Sequence, residues 1–473
     1  MKLIEAIRLS DLACLALSGS GGKSTALFQL ARSLNSEADV SKSGIKDKPV
    51  ILSATTHLFV KQARLADSHW TVNEPADLEE VEKHLKGVML ITGPVNGDRT
   101  TGLDLNSIYK LHAMCDGNHL PLLIEADGSR QRPLKAPAEH EPPIPPFVKT
   151  VVVVAGLSGV GKPLNDEFVH RPQIFAGLSG LRFGDTITEA ALLRVLTHPA
   201  GGLKNIPAHA RRVALLNQGD SPELQAMGGK LAEALLATFD AVVVGTLEQS
   251  HVQTFERTAG IILAAGEARR FGQPKQLLDY RGQPFVRAVA QTALTAGLSP
   301  VIVVSGANAG AVEAAVRDLP VTIIHNPDWQ NGQSSSIRAG LQALPNSNLA
   351  QAAGNPDPDL GFIESREQRE GVGAAIFLLA DQPQVTPTVL RALVEQHSQN
   401  LSPIYAPLVA GQRANPVLFD QRVFPDLMKL SGDSGGRKLF GKYQVAYLTW
   451  QDESLLLDVD TPEDLERLRN WET

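Results

Sequence analysis

Two short turns in this 473-residue chain bring a lysine beside small residues at the end of an apolar run, an arrangement suited to holding phosphate. In the first, Leu12 to Leu17 has strand character and leads into Ser18-Gly19-Ser20-Gly21-Gly22-Lys23-Ser24-Thr25, ahead of the helical pattern Ala26 to Ala31. Gly21 and Gly22 allow main-chain N–H groups to point inward, Lys23 offers charge to the outer phosphates, and a hydroxyl of Ser24 or Thr25 suits Mg2+. In the second, the buried run Ile261 to Leu263 opens into Leu263-Ala264-Ala265-Gly266, and Arg270 and Lys275 follow. That loop suits a triphosphate; an ordinary turn between strand and helix with solvated cations is the plain alternative.

Carboxylates end further apolar runs. Ala374 to Ala380 delivers Asp381, and Leu455 to Leu457 delivers Asp458 and Asp460. Asp381 and Asp460 converging on one crevice suit Mg2+, while N-capping of the helix that begins near Pro462 is the other use open to Asp460. Leu122 to Glu125 is followed by Asp127, on the same strand face by period two. One of these carboxylates can hold a metal, Asp127 being the candidate, and the other can position water; a solvated strand end is the alternative. Asn217-Gln218-Gly219-Asp220 is either a turn or a base contact through Asp220. Ser334-Ser335-Ser336 opens a helix toward Leu344, with Ser335 as a nucleotide contact or the serines as an N-cap. Gly156 to Lys162 repeats the glycine and lysine spacing but is discounted, since Pro163 lacks an N–H and disfavours helical geometry at Lys162.

The spacing LAAG-x3-R-x-G-x2-K-x-L-L resembles the signature loop of the nucleotidyltransferases that attach a nucleotide to molybdopterin. Asn326-Pro327-Asp328-Trp329, Gly332 to Gly340, Asp381-Gln382-Pro383, Gly432-Asp433-Ser434-Gly435-Gly436-Arg437 and Leu457 to Asp464 follow in the family's order. Together they span residues 258–473 and are most similar to the molybdenum cofactor cytidylyltransferase branch of the MobA-like NTP transferases. The resemblance implies Mg2+, CTP as nucleotide substrate, catalytic roles for Arg270, Lys275 and Asp381, and an acceptor phosphate gripped by Arg437. Ala265 stands where guanylyl relatives carry a second glycine, which is the ground for CTP. The acceptor contact at Asn415 departs from the family, whose Gly-His-Pro is here Ala414-Asn415-Pro416.

The first half is similar to the YqeC-like accessory proteins associated with selenium-dependent molybdenum hydroxylases. The likeness rests on Gly19 to Thr25, Glu125 to Pro137, and Gly161-Lys162-Pro163-Leu164-Asn165 with Val169-His170-Arg171-Pro172, and covers residues 10–250. A full Walker spacing would place glycine at position 17, where Leu17 stands. The shorter Gly-x-Gly-Gly-Lys-Ser form is similar to the loop of Mur-ligase-type ATP-binding proteins and implies ATP or GTP.

These turns need strands to carry them. The length fits two domains, 1–253 and 257–473, joined through polar residues 248–253, with residues 345–372 as an insertion lacking apolar periodicity. Helical patterns at 285–297 and 309–317 alternate with strands at 300–304 and 320–324, so the fold class expected is α/β. A P-loop-like α/β domain would precede a Rossmann-like nucleotidyltransferase domain with a mostly parallel sheet, ligands lying at the carboxyl ends of the strands. A formal charge of −7 argues against a general nucleic-acid binder. Two cysteines without metal spacing, no signal-like start and no membrane-length apolar run place the chain in the cytoplasm.

The function expected is transfer of CMP from CTP to molybdopterin with release of pyrophosphate, coupled to a nucleotide-binding accessory domain, with a molybdenum hydroxylase apoenzyme as the partner. Three readings stand beside it: a sugar-phosphate nucleotidyltransferase, a cofactor carrier without turnover, and an independent NTPase in the first domain.

Overall fold

The computed structural model describes residues 1–10, 12–36, 48–249, 251–267, 273–345 and 371–471. The chain divides into two units, Met1–Phe255 and Glu256–Thr473.

In the first unit the residues of each central strand sort by parity. Leu15, Leu17, Leu52, Leu123, Val152 and Val154 enter one core together with Ala26, Leu27, Leu30 and Leu34 of the Lys23–Ser36 helix. Cys14, Ala16, Ile51, Ile124, Val151 and Val153 enter the other. Continuous apolar runs are what a sheet buried on both faces requires, each residue meeting helices on one side or the other. The nine strands lie in the order His251–Phe255, Ala241–Thr246, Arg211–Asn217, Thr150–Gly156, Cys14–Gly19, Leu122–Glu125, Val50–Ala54, Val88–Thr92, Ser68–Thr71. All neighbours are parallel except His251–Phe255, which runs antiparallel on Ala241–Thr246. Residues 251–253, read from their polarity as linker, are therefore edge strand; Val252 and Thr254 bury while His251, Gln253 and Phe255 face outward to differing degrees. An edge strand with one wet face alternates instead of running apolar, which hid it.

The chain leaves Cys14–Gly19 toward Val50–Ala54 on one side, and leaves Thr150–Gly156 toward Arg211–Asn217 on the other. The carboxyl ends of those adjacent strands are thus a topological switch point, where an open α/β sheet leaves a crevice.

The second unit repeats this logic in a mixed sheet. Thr322–His325, Val301–Ser305, Thr258–Ala264 and Ala374–Leu379 are successive parallel neighbours. Val417–Asp420 runs antiparallel to Ala374–Leu379 and to Ile404–Val409, which carries Val445–Trp450 parallel beside it. The switch point lies between Thr258–Ala264 and Ala374–Leu379. Ile262, Val303 and Ile376 face a core with the Phe285–Thr295 and Pro387–Asn400 helices, while Ile261, Val304 and Phe377 face the Gln333–Gln342 helix.

Candidate functional site

At the first switch point the glycine loop is threaded through backbone. Gly21 has φ +85°, and a Cβ there would lie 2.5 Å from the Gly156 nitrogen and 2.8 Å from the Pro133 carbonyl oxygen. Gly22 has φ +132°, and its Cβ would lie 2.3 Å from the Asn217 side chain. Only glycine tolerates such positions. Asn217 in turn donates to the Gly21 carbonyl (2.7 Å) and accepts from the Leu247 N–H (3.0 Å), tying the loop to two strand ends.

Lys23 is 3% exposed. Its ammonium donates to the Gly19 carbonyl (2.6 Å) and lies 3.4 Å from Asp127 and 3.9 Å from Glu125. Asp127 also accepts from the Gly19 N–H (3.2 Å) and pairs with buried Lys135 at 2.8 Å. Lys135 reaches Glu141 at 2.7 Å, and Arg171 grips Glu141 with both terminal nitrogens, at 2.6 and 2.8 Å. The result is an alternating relay, Lys23, Asp127, Lys135, Glu141, Arg171. Burial pushes the Glu141 carboxyl up, but Arg171 and Lys135 outweigh it and hold its pKa at about 2. Burial, aided by Arg171 and Lys135, lowers His170 to about 4. Glu125 is raised by burial, only partly offset by Lys23 and by the Ser24 hydroxyl, which donates to it at 2.9 Å.

Asp127, expected to hold a metal, is engaged here by groups of the protein itself. Two ammonium groups and an N–H crowd Asp127, whereas Glu125 accepts from Ser24, the hydroxyl beside the glycine loop. Glu125 with Ser24 is the better oxygen pair for a divalent ion. Lys23, Ser24, Thr25, Gly21 and Gly22 line a cavity of about 490 Å3, and a neighbouring hollow of about 620 Å3 shares Ser24, Thr25 and Gln62 with it. Asp220, expected to contact a base, is exposed and lies outside the lining of both hollows. Gln62, whose amide donates to the Ser24 hydroxyl (2.6 Å), and Glu141 were missed in the sequence, because Gln62 reaches the site from the short helix Val60–Ala63 and Glu141 from a loop, neither with motif spacing. After Gly156 the chain makes a 3-10 turn, Leu157–Gly159, and no helix starts at Lys162.

In the second unit the signature loop and the five motifs that follow it gather into two groups. The first joins the signature loop with Asp381 and Asp460. Lys275, in the 3-10 turn Lys275–Leu277, forms a hydrogen-bonded ion pair with Asp460. Asp381 follows the Ala374–Leu379 strand; burial raises its pKa, Lys275 lowers it, and Asp458 and Asp460 add repulsion, for a net rise. The Asp381-Gln382-Pro383-Gln384 segment positions the other carboxylates: Gln382 donates to Asp458 (2.7 Å), and Gln384 donates to the Leu457 carbonyl (2.7 Å). Gln276 donates to the Gly266 carbonyl (3.2 Å) and shapes the loop. Leu263 and Ala264 end the strand, and Ala265 is buried, lying so close to Gly306 that a Cβ on that glycine would sit 2.6 Å from the Ala265 methyl. Arg270 lies outside the described residues, as does most of the expected insertion 345–372.

Asp460 is not the helix cap. Thr461 takes that place, its hydroxyl accepting from the Asp464 N–H in a capping box. Among the described residues no three His, Cys, Asp or Glu side chains form a ready metal cluster. Two crowded carboxylates nonetheless fit Mg2+, a hard ion that takes few protein ligands and completes its shell with phosphate oxygens and water.

The second group joins the serine helix to the glycine turn. Gly332 has φ +91°, and a Cβ there would lie 2.5 Å from the Gly432 carbonyl carbon. The Ser334 N–H donates to the Gly432 carbonyl (3.2 Å). Asn326 donates to the hydroxyls of Ser335 (2.8 Å) and Ser336 (3.1 Å), so the hydroxyl of Ser335, expected to meet nucleotide, already has an internal partner. Asn415 is half-buried at a cis bond to Pro416, and Arg437 is exposed on the 3-10 turn Gly436–Gly441 without an ion pair among the described residues.

Comparison with known proteins places both halves. Residues 260–447 match the MobA-like NTP transferase domain, and residues 15–173 match the YqeC protein family. The chain is 33% identical over 218 residues to uncharacterized protein YqeC of Escherichia coli (strain K12), covering 43% of this chain and 75% of that protein. It is 33% identical over 219 residues to nicotine blue oxidoreductase of Paenarthrobacter nicotinovorans, covering 44% and 95%. Over 88 residues it is 35% identical to the probable molybdenum cofactor guanylyltransferase of Bacillus cytotoxicus, covering 18% of this chain and 43% of that protein. The chain belongs to the YqeC family in its first half and to the MobA-like NTP transferases in its second. It is an α/β fusion carrying a nucleotidyltransferase-family domain.

Proposed function

We propose that the second unit transfers CMP from CTP to the terminal phosphate of molybdopterin, releasing pyrophosphate, and that the first unit binds ATP or GTP. The observation that carries the first reading is the meeting of Lys275, Asp381 and Asp460 at a switch point, from three separate loops. The molybdenum cofactor in the name of the Bacillus cytotoxicus relative supports the acceptor class. Ala265, where guanylyl relatives carry a second glycine, is the ground for CTP over GTP; its methyl packs against Gly306.

Asp381 and Asp460 would hold Mg2+, which when bound draws charge from the substrate phosphates. The remaining work belongs to the chain. The acceptor phosphate is already ionised, so no general base is needed, and positioning dominates. Lys275 stands beside both carboxylates, where its cation meets negative charge developing on the departing pyrophosphate. Arg270 adds a second charge from the same loop, and Arg437 is the candidate for gripping the acceptor's phosphate in a two-bond fork, with Asn415 near the acceptor. A molybdenum hydroxylase apoenzyme would receive the product.

The test is pyrophosphate release by the full chain with Mg2+ and molybdenum cofactor, comparing CTP with GTP and wild type with Asp381→Ala. Release with CTP that falls at least about 100-fold in the variant is expected. Binding of the cofactor without release, unchanged in Asp381→Ala, would instead establish a carrier. The oxidoreductase name of the Paenarthrobacter nicotinovorans relative supports a second reading, redox turnover in the same crevice, which predicts no pyrophosphate from either nucleotide.

A further inference from the structure

The 490 Å3 cavity of the first unit holds more positive charge than its carboxylates balance. Its walls present Lys23, Arg99, Arg130, Arg132 and Arg171 against Glu125 and Glu141, in a chain whose formal net charge is −7. Two of the five cations are answered inside the protein: Lys23 by Asp127 and Glu125, and Arg171 by Glu141. Arg99, Arg130 and Arg132 have no ion-pair partner among the described residues. They also belong together. Arg99 lies over the Phe59 ring at 4.6 Å and pairs by a β-bridge with Phe59. The turn bearing Arg130 and Arg132 reaches the same segment, since a Cβ on Gly128 would sit 3.6 Å from the Thr56 hydroxyl. Arg130 and Gln131 hold left-handed backbone at φ 50° and 60°, a conformation that side-chain-bearing residues adopt only when their surroundings impose it.

Unbalanced guanidinium groups in one concave wall repel each other and concentrate field on whatever anion enters. Their planar forks match phosphate oxygens two at a time. A triphosphate on the glycine loop would engage Lys23 and the loop N–H groups, and the adjoining 620 Å3 hollow offers room for its nucleoside. The three arginines at the Thr56–Phe59 lip then have no natural counter-charge. We propose that they form a second subsite for the phosphate group of a small molecule, bound together with the nucleoside triphosphate. The inference rests on the reading of the glycine loop as an NTP site, and its test separates the two.

Calorimetric titration of the full chain uses two probes: a non-hydrolysable ATP analogue with Mg2+, and inorganic phosphate. Phosphate should still bind when the analogue is saturating. Arg130→Gln with Arg132→Gln should weaken phosphate at least about tenfold while changing analogue affinity less than about threefold, and Arg99→Gln should act in the same direction. Lys23→Ala should do the reverse. Phosphate bound near Lys275 in the second unit is common to all variants and cancels in the comparison. Loss of all phosphate binding at saturating analogue, or phosphate binding there indifferent to all three arginine changes, would overturn the subsite. Malonate binding as tightly as phosphate would overturn its assignment to a phosphate group. Analogue binding unchanged in Lys23→Ala would overturn the NTP reading by itself.

Discussion

Lys23 and Glu141 show how much of the first site depends on single buried charges. Each is held by two partners, and removal of one leaves the charge half-compensated, a loss below the roughly 3–5 kcal/mol of a buried pair broken outright. The relay also sets an acid limit. His170 has its pKa lowered from 6.5 to about 4, so between those values the unfolded chain binds more protons than the folded one. Stability of the first unit is therefore full above pH 6.5 and declines as pH falls toward 4. Glu141, lowered from 4.5 to about 2, extends the loss: its contribution is present above pH 4.5 and vanishes as pH falls toward 2. Melting followed by circular dichroism from pH 7.5 to 4.5 should show the first decline, and His170→Gln should flatten it. A wild-type melting temperature flat across that range would contradict the neutral state of half-buried His170.

At the scale of elements, glycines set where motifs can meet. The Gly332 turn allows the Gln333–Gln342 helix to start against Gly432, linking two motifs about a hundred residues apart in sequence. Its φ of +91° and the 2.5 Å approach to backbone leave no room for a side chain. Gly332→Ala should lower the stability of the second unit by about 1–3 kcal/mol in urea denaturation. It should also raise KM for the acceptor more than it lowers kcat, if the Gly432 to Arg437 turn positions that substrate. The charged pair of Lys275 and Asp460 sits in the other group and should be little affected.

At the scale of the molecule, each unit owns its own sheet, its own apolar cores on the two sheet faces and its own switch-point crevice. No described helix is long and apolar enough to cross a membrane. The fragment 256–473 is expected to fold alone and to release pyrophosphate from CTP with kcat/KM within about twofold of the full chain, since it carries its own sheet and its own cores. Fragment 1–255 should melt cooperatively and keep the ATP-analogue affinity. Loss of turnover in a folded 256–473 fragment, restored by the full chain, would show that the first unit takes part in the transfer. By itself the sequence determined the two glycine turns, the strands beneath them and the carboxylates Glu125, Asp127 and Asp381 at strand ends, because buried parallel strands must be continuously apolar and phosphate loops must be small; Asp458 and Asp460 instead follow the 3-10 turn Glu453–Leu456. It could not show that Asp127 is taken by Lys23 and Lys135, that Asn326 occupies Ser335, or that Glu141 and Gln384 matter. Nor could it show the reversed strands His251–Phe255 and Val417–Asp420. Those depend on which residues distant in the chain come within about 3 Å, and pairing at that range is decided by how the sheets pack and where their loops close.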